Sequence, residues 1–171
     1  MSGKSLIAYF TREGYNYVSG NIVSLPVGNT EVAAKMLQRI TEADLFRIEA
    51  VKPYPEDYTK CTEVAKEELQ QNARPDLTSK VDEMDSYDVI FLGYPNWWGT
   101  FPMAVFTFLE TYDLSGKKVI PFCTHEGSGM GRSESDIKKL CTSAKVEKGL
   151  AIKGSNVEGA EKEIFKWAQK Y

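Results

Sequence analysis

Two stretches of the chain are almost purely apolar: Ser5–Phe10 (SLIAYF) and Asp88–Tyr94 (DVIFLGY). Short runs without polar alternation are expected of strands buried on both faces of a parallel sheet. Lys118–Cys123 (KVIPFC) has the same character but carries a proline. Asp44–Ala50 and Lys148–Ile152 are weaker strand candidates. In the first, Phe46, Ile48 and Ala50 alternate with Arg47 and Glu49, the pattern of an edge strand. Between these segments the period becomes helical. Val32, Met36, Leu37 and Ile40 share a face, while Glu31, Lys35 and Gln38 point elsewhere. Tyr58, Cys61, Ala65 and Leu69 repeat likewise, as do Ile137, Leu140, Cys141 and Ala144. A last helix carries Val157, Ala160, Ile164, Trp167 and Ala168 on one stripe. Thr100 is the predicted N-cap of a helix over Pro102–Thr111, with the proline in the first turn, where its missing N–H costs little.

Strands and helices thus alternate throughout, which predicts an α/β protein: a three-layer α/β/α sandwich around a five-stranded parallel sheet with right-handed crossovers. The order 2-1-3-4-5 has its switch point between strands 1 and 3, and ligands bind outside the carboxyl ends of the strands there. No repeat, low-complexity tract or linker divides the sequence, so one domain over residues 1–171 is expected, with an inserted loop at about 13–27.

The loops after Phe10, Tyr94 and Cys123 therefore bear the candidate chemistry. The first ends in Val27-Gly28-Asn29-Thr30, directly before the amphipathic helix. A glycine that permits close approach, two polar side chains and the free N–H groups of a first helical turn suit a phosphate. Gly14-Tyr15-Asn16 is a competing version of that loop, but only Gly28–Thr30 is followed at once by a helix. The second loop reads Pro95-Asn96-Trp97-Trp98-Gly99-Thr100. Neighbouring side chains diverge, so both tryptophans cannot enter the core, and an exposed flat ring is a natural partner for a flat heterocycle. The third, Thr124-His125-Glu126-Gly127-Ser128-Gly129, offers backbone N–H groups to ligand oxygens.

Composition narrows the field. A net charge of -3 argues against a nucleic-acid partner. No run of about 18 apolar residues is present to span a bilayer, and Met1–Phe10 is too short in its apolar stretch for a signal peptide. Three widely spaced cysteines (Cys61, Cys123, Cys141), with no CxxC pair, suit a reducing cytoplasm. One histidine and scattered carboxylates make no metal site.

With these motifs in order at compatible spacing, the chain resembles the flavodoxin family. The resemblance rests on Tyr9-Phe10-Thr11-Arg12, Gly28-Asn29-Thr30, Tyr94–Glu110 and Pro121–Gly129, and spans almost the whole chain. It implies non-covalent FMN. Thr11, Gly28, Asn29 and Thr30 would sit at the phosphate, with Arg12 and Val27 in the same binding loop. Pro95, Asn96, Trp97, Trp98 and Gly99 would flank the isoalloxazine ring from one side, and Thr124, His125, Glu126, Gly127, Ser128 and Gly129 from the other. Two departures stand out: about fourteen extra residues between Arg12 and Gly28, carrying Tyr15 and Tyr17, and Pro121 inside a strand.

The implied function is electron transfer through FMN, the protein fixing the ring and tuning its electronics. Its partners would be redox proteins, or NAD(P)H with a small acceptor if the chain is an FMN-dependent NAD(P)H oxidoreductase of quinone-reductase type. The residues also permit a remote alternative, a hydrolase built on Cys123 and His125 with Glu126 nearby. A flavin-free interaction module on the same fold is a further class.

Overall fold

The computed structural model describes residues 3–171; residues 1–2, with which the Met1–Phe10 segment begins, lie outside it. The elements are β1 (Lys4–Tyr9), β2 (Gly14–Val18), β3 (Asn21–Leu25), α1 (Asn29–Thr41), β4 (Asp44–Arg47), α2 (Tyr58–Gln70), β5 (Tyr87–Pro95), α3 (Met103–Thr111), β6 (Lys118–His125), α4 (Ser133–Leu140), β7 (Lys145–Val146), β8 (Leu150–Lys153) and α5 (Glu161–Ala168). The main sheet is parallel and runs β4-β1-β5-β6, with β7 and β8 both laid along the outer side of β6. This is the expected 2-1-3-4-5 order, but the fifth strand is in two pieces. The main sheet therefore has six strands rather than five.

The break explains Pro121. From Val119↔Val146 to Phe122↔Leu150, β6 advances three residues while its edge partner advances four, so the partner bulges there. The Lys117 and Val119 carbonyls accept from Lys145 and Glu147 on the edge side. Pro121, two residues on, turns its missing N–H to the same side, where the edge strand has already left the ladder. Its pairing to Leu92 of β5 is kept.

Alternation along the central strands feeds two cores. Leu6, Ala8, Ile90, Leu92, Tyr94, Val119 and Cys123 face the side packed by α3 and α4. Ile7, Tyr9, Phe91, Ile120 and Phe122 face α1 and α5. Gly93 belongs to the second face, where any Cβ would fall inside the Phe122 ring. No helix among the described residues is long and apolar enough to cross a membrane.

Several local expectations are corrected. β4 ends at Arg47; Ala50 makes only an isolated bridge, to Leu77. The final stripe is split between a 3-10 turn, Gly154–Gly159, and α5. Pro102, not Thr100, caps α3, because Thr100 gives its hydroxyl to Asp136 at 2.6 Å. The insertion at 13–27 is not a loop: β2 and β3 pair antiparallel as a separate hairpin.

Gly93→Ala is expected to destabilise the fold by about 1–3 kcal/mol through overpacking against Phe122. Urea denaturation measures this, and an unchanged midpoint would contradict the packing described.

Candidate functional site

The carboxyl ends of β1, β5 and β6 carry three tips, and hydrogen bonds hold them together. Gly28 caps α1 through its backbone alone (φ -66, ψ 151), and a Cβ there would press on Thr11 and lie 2.6 Å from the Arg12 carbonyl. Thr11 accepts from the Glu31 N–H at 3.2 Å, and Val32 N–H bonds the Gly28 carbonyl. The Asn29 and Thr30 N–H groups have no acceptor among the described residues. Two unclaimed donors at the positive end of a 13-residue helix make an anion cradle. Thr30 is anchored from behind, its hydroxyl 2.7 Å from that of Thr124, with both residues buried. Gly28 and not Gly14 forms this turn, since Gly14 opens the hairpin.

Asn96 ties the second tip to the third. Its N–H donates to the Thr124 carbonyl at 2.8 Å, its side-chain amide donates to the Gly129 carbonyl at 2.8 Å, and its Oδ1 accepts from Gly99 N–H at 3.0 Å. Trp98 (φ 55) and Gly99 (φ 87) turn the chain back on itself, and Trp97 and Thr100 exchange backbone bonds. A left-handed tryptophan is uncommon and marks strain held by its surroundings. The Trp98 N–H and the Asn96 carbonyl have no partner among the described residues. The two indoles diverge as expected. Trp97 packs edge-on against Phe10 and Tyr54, at 5.2 and 5.1 Å. Trp98 is 47% exposed, donates its indole N–H to the Thr62 carbonyl and lies under the Lys66 ammonium.

In the third tip the His125 Nδ1 accepts from Gly127 N–H at 2.9 Å, which leaves the proton of a neutral ring on Nε2. Burial lowers its pKa below the ordinary 6.5, partly opposed by Glu126. Glu126 accepts from Ser19 N–H at 2.6 Å and from Ser155 N–H at 2.9 Å. Cys123 is fully buried, its thiol pushed up by burial, with its sulfur directed at the Thr124 and Gly129 carbonyls. No hydrogen bond joins it to His125, so the pair is not arranged as a nucleophile and base.

Between the tips lies a cleft of about 410 Å³, within the range of roughly 300–1,000 Å³ usual for small-molecule sites. Arg12, Asn29, Thr30, Pro95, Asn96, Trp97, Trp98, Thr124, His125, Glu126 and Ser128 line it. Thr11, Val27, Gly28, Gly99, Gly127 and Gly129 do not: Thr11 and Gly28 are buried in the turn before α1, while Val27 and Gly127 are exposed. Arg12 spends its guanidinium on the carbonyls of Tyr15, Pro55 and Glu56, joining the hairpin to the chain before α2. Sequence reasoning missed the wall formed by Asn16 of the hairpin and by Tyr58, Cys61, Thr62 and Ala65 of α2. The apolar stripe of α2 was visible but reads equally as core, and only the tertiary placement of α2 separates the two. A second cleft of about 660 Å³ shares Arg12 and Trp97 but reaches no free helix N–H, so the phosphate-sized cradle belongs to the first.

Protonating His125 at Nδ1 breaks its bond from Gly127. Because its folded pKa is lowered, the unfolded chain takes up the proton first as pH falls. Stability is therefore complete above about pH 6.5 and declines below it. Denaturation midpoints at pH 7.5 and 5.5 are expected to drop further for the native chain than for His125→Gln; equal drops would contradict the assignment.

The model of the family described as Flavodoxin matches residues 4–171. Among solved structures, a candidate flavoprotein of Bacteroides eggerthii is 30% identical, with a TM-score of 0.80 over 99% of this chain and 98% of that one. A flavoprotein of Lactobacillus acidophilus in complex with FMN is 20% identical, with a TM-score of 0.69 over 92% and 98%. Two-electron reduced Megasphaera elsdenii flavodoxin is 21% identical, with a TM-score of 0.53 over 96% and 99%. No curated protein matches the chain. The likenesses near 20% identity speak for the fold, and the family match over almost the full length supplies the rest: this chain belongs to the flavodoxin family.

Proposed function

We propose that this protein binds FMN non-covalently in the cleft between its three tips and passes electrons through it, acting as one domain in the cytoplasm. The observation that carries this reading is the bonding of the tips around one cleft: Thr30 to Thr124, and Asn96 to Thr124, Gly99 and Gly129. The cradle fits a phosphate, and it forbids a side chain at Gly28. The family match and the FMN complex of the Lactobacillus relative support the cofactor.

Bound FMN supplies reversible one- and two-electron chemistry. The chain does the positioning. The free N–H groups of Asn29 and Thr30 would hold the FMN phosphate. Asn96 fixes the Trp98–Gly99 turn, so the Trp98 N–H and the Asn96 carbonyl offer one donor and one acceptor to the polar edge of the ring. Trp97 and Trp98, which both line the cleft, would supply aromatic surface beside a bound flavin and disfavour its electron-rich, fully reduced form. His125, neutral and protonated at Nε2, offers a further donor to a ring carbonyl. No buried side chain need act as acid or base.

A second reading, reduction of a small acceptor by NAD(P)H, is favoured by the hairpin that walls the cleft with Asn16 and Tyr17. Steady NAD(P)H oxidation by the purified protein alone supports it, and dependence on a separate reductase supports the carrier.

The absorption spectrum of the purified protein and identification of the released chromophore test the core of the proposal; FMN is expected, and FAD or a colourless protein indifferent to FMN would overturn it. Thr30→Asp puts a negative charge beside the cradle and breaks the buried Thr30–Thr124 contact, and is expected to weaken FMN binding at least tenfold, about 1.4 kcal/mol. Replacing Trp97 and Trp98 together by alanine is expected to weaken binding and shift the midpoint potentials. Affinity and potentials like those of the native protein would remove the indoles from the site.

A further inference from the structure

The inserted hairpin has one edge in use and one edge bare. Left-handed Ser19 (φ 50) and Gly20 (φ 85) form a two-residue turn between Val18 and Asn21, the tight connection that suits the twist of a hairpin. Such a turn makes Val18 and Asn21 a hydrogen-bonded pair, and the alternation of an antiparallel ladder then fixes the rest. Asn16–Val23 and Gly14–Leu25 exchange bonds, while Tyr15–Ser24 and Tyr17–Ile22 turn their backbone groups outward. The outward edge of β2 is turned to the body of the protein. There the Tyr15 carbonyl accepts from Arg12 Nε at 3.0 Å, and the Tyr17 ring lies 6.4 Å from that of Tyr58 in α2. On β3 the outward N–H and C=O groups of Ile22 and Ser24 have no partner among the described residues.

Natural proteins blunt an open edge with a charged side chain, a bulge or a covering loop. β3 has none of these. Residues 14–28 contain no Asp, Glu, Lys or Arg, in a chain whose residues are 26% charged. Its pairing to β2 runs without a register shift, and Asn21, Ile22, Val23 and Ser24 are all exposed. Of the eight large hydrophobic side chains exposed among the described residues, five fall within residues 15–27: Tyr15, Tyr17, Ile22, Val23 and Val27. A neutral, apolar, unpaired edge of this kind is an association surface. A charged partner finds no counter-charge on it, whereas an identical edge matches it. In an antiparallel pair about a twofold axis at Val23, Ile22 of one copy exchanges both backbone bonds with Ser24 of the other. The two Val23 residues then face each other in the non-hydrogen-bonded position between. The assembly also closes: with the outward edge of β2 taken up by Arg12 and α2, each copy offers one free hairpin edge, and pairing stops at two.

We propose that two copies of this chain associate through β3, joining their hairpins into one four-stranded antiparallel sheet in the order β2-β3-β3-β2 and centred on Val23. The association needs no bound cofactor and stands apart from the FMN reading. It completes a structural unit: a two-stranded hairpin is marginal in water, and three or more strands are needed for independent stability. Within one copy the hairpin is held at its base by Arg12 and at its tip by Glu126 on the Ser19 N–H. The partner copy supplies the missing neighbour along its length. Four backbone hydrogen bonds and a short apolar strip make a small interface, so the pairing is reversible and depends on concentration.

Sedimentation equilibrium of the full chain from about 10 μM to about 1 mM tests the association. A reversible monomer–dimer equilibrium is expected, with no larger species. Val23→Lys sets two like charges face to face at the axis and is expected to weaken the dimer at least tenfold, with near-UV circular dichroism unchanged. Disulfide trapping tests the register. A non-hydrogen-bonded pair brings its Cβ atoms to about 4.5–5.5 Å, close to the span of a disulfide. Val23→Cys is therefore expected to form a covalent dimer under mild oxidation at least tenfold faster than Ile22→Cys or Val51→Cys, whose positions are also exposed. The native cysteines Cys61, Cys123 and Cys141 are buried and do not compete. A chain that stays monomeric over the whole range leaves the edge to a strand of another protein and would overturn the proposal. So would a folded Val23→Lys variant that self-associates like the native chain, or equal trapping rates at positions 22, 23 and 51.

Discussion

The hydrogen bonds between the strand-end tips are the constraint on which the rest of the site depends. A parallel sheet leaves the loops at its carboxyl edge free to diverge, and nothing in strand pairing alone brings them to one ligand. Here the buried hydroxyls of Thr30 and Thr124 meet at 2.7 Å, locking the start of α1 to the end of β6. Asn96 then uses its backbone N–H and both ends of its amide to bind the loop after β5 to the loop after β6 and to itself. Buried bonds of this kind contribute about 1 kcal/mol each net, but leaving one partner unpaired costs more, so the arrangement is held as a unit. The free N–H groups of Asn29 and Thr30 exist as a site only because these bonds aim them into the same cleft as the indoles.

Much of this was legible in the chain itself. The apolar runs of β1 and β5 and the helical stripes between them were enough for the layer architecture and strand order, because burial on two faces leaves a signal that does not depend on distant contacts. The three tips were legible because glycine, asparagine and paired tryptophans have few uses in a core. What escaped notice was decided by tertiary contact. The hairpin of β2 and β3 alternates weakly, since both of its faces are largely exposed. Cys61 and Ala65 are apolar at helical spacing whether they face a core or a cleft. Thr100 has the composition of a cap but gives its hydroxyl to Asp136, 36 positions away. The fifth strand breaks in two at a bulge that only the position of Pro121 hinted at.

The hairpin also changes how the cleft should be viewed. Asn16 and Tyr17 of the hairpin add a wall to it, and Arg12 and Glu126, which also line the cleft, hydrogen-bond to hold that wall in place. Arg12 and Glu126 were expected at the cofactor. Their hydrogen bonds show them joining chain segments, a role that depends on partners more than one hundred residues away in the case of Glu126. The surfaces left to a ligand are backbone donors at one end and aromatic rings at the other, which matches a molecule with an anionic tail and a flat head.

The most direct measurement of this account is the backbone amide spectrum of the isotopically labelled protein during titration with FMN. Saturable shifts are predicted at Asn29 and Thr30 together with Trp98 and Gly99, all following one binding curve, with α4 and α5 unmoved. Shifts confined to other regions, or a spectrum that FMN leaves unchanged, would contradict the claim that these tips form one flavin site.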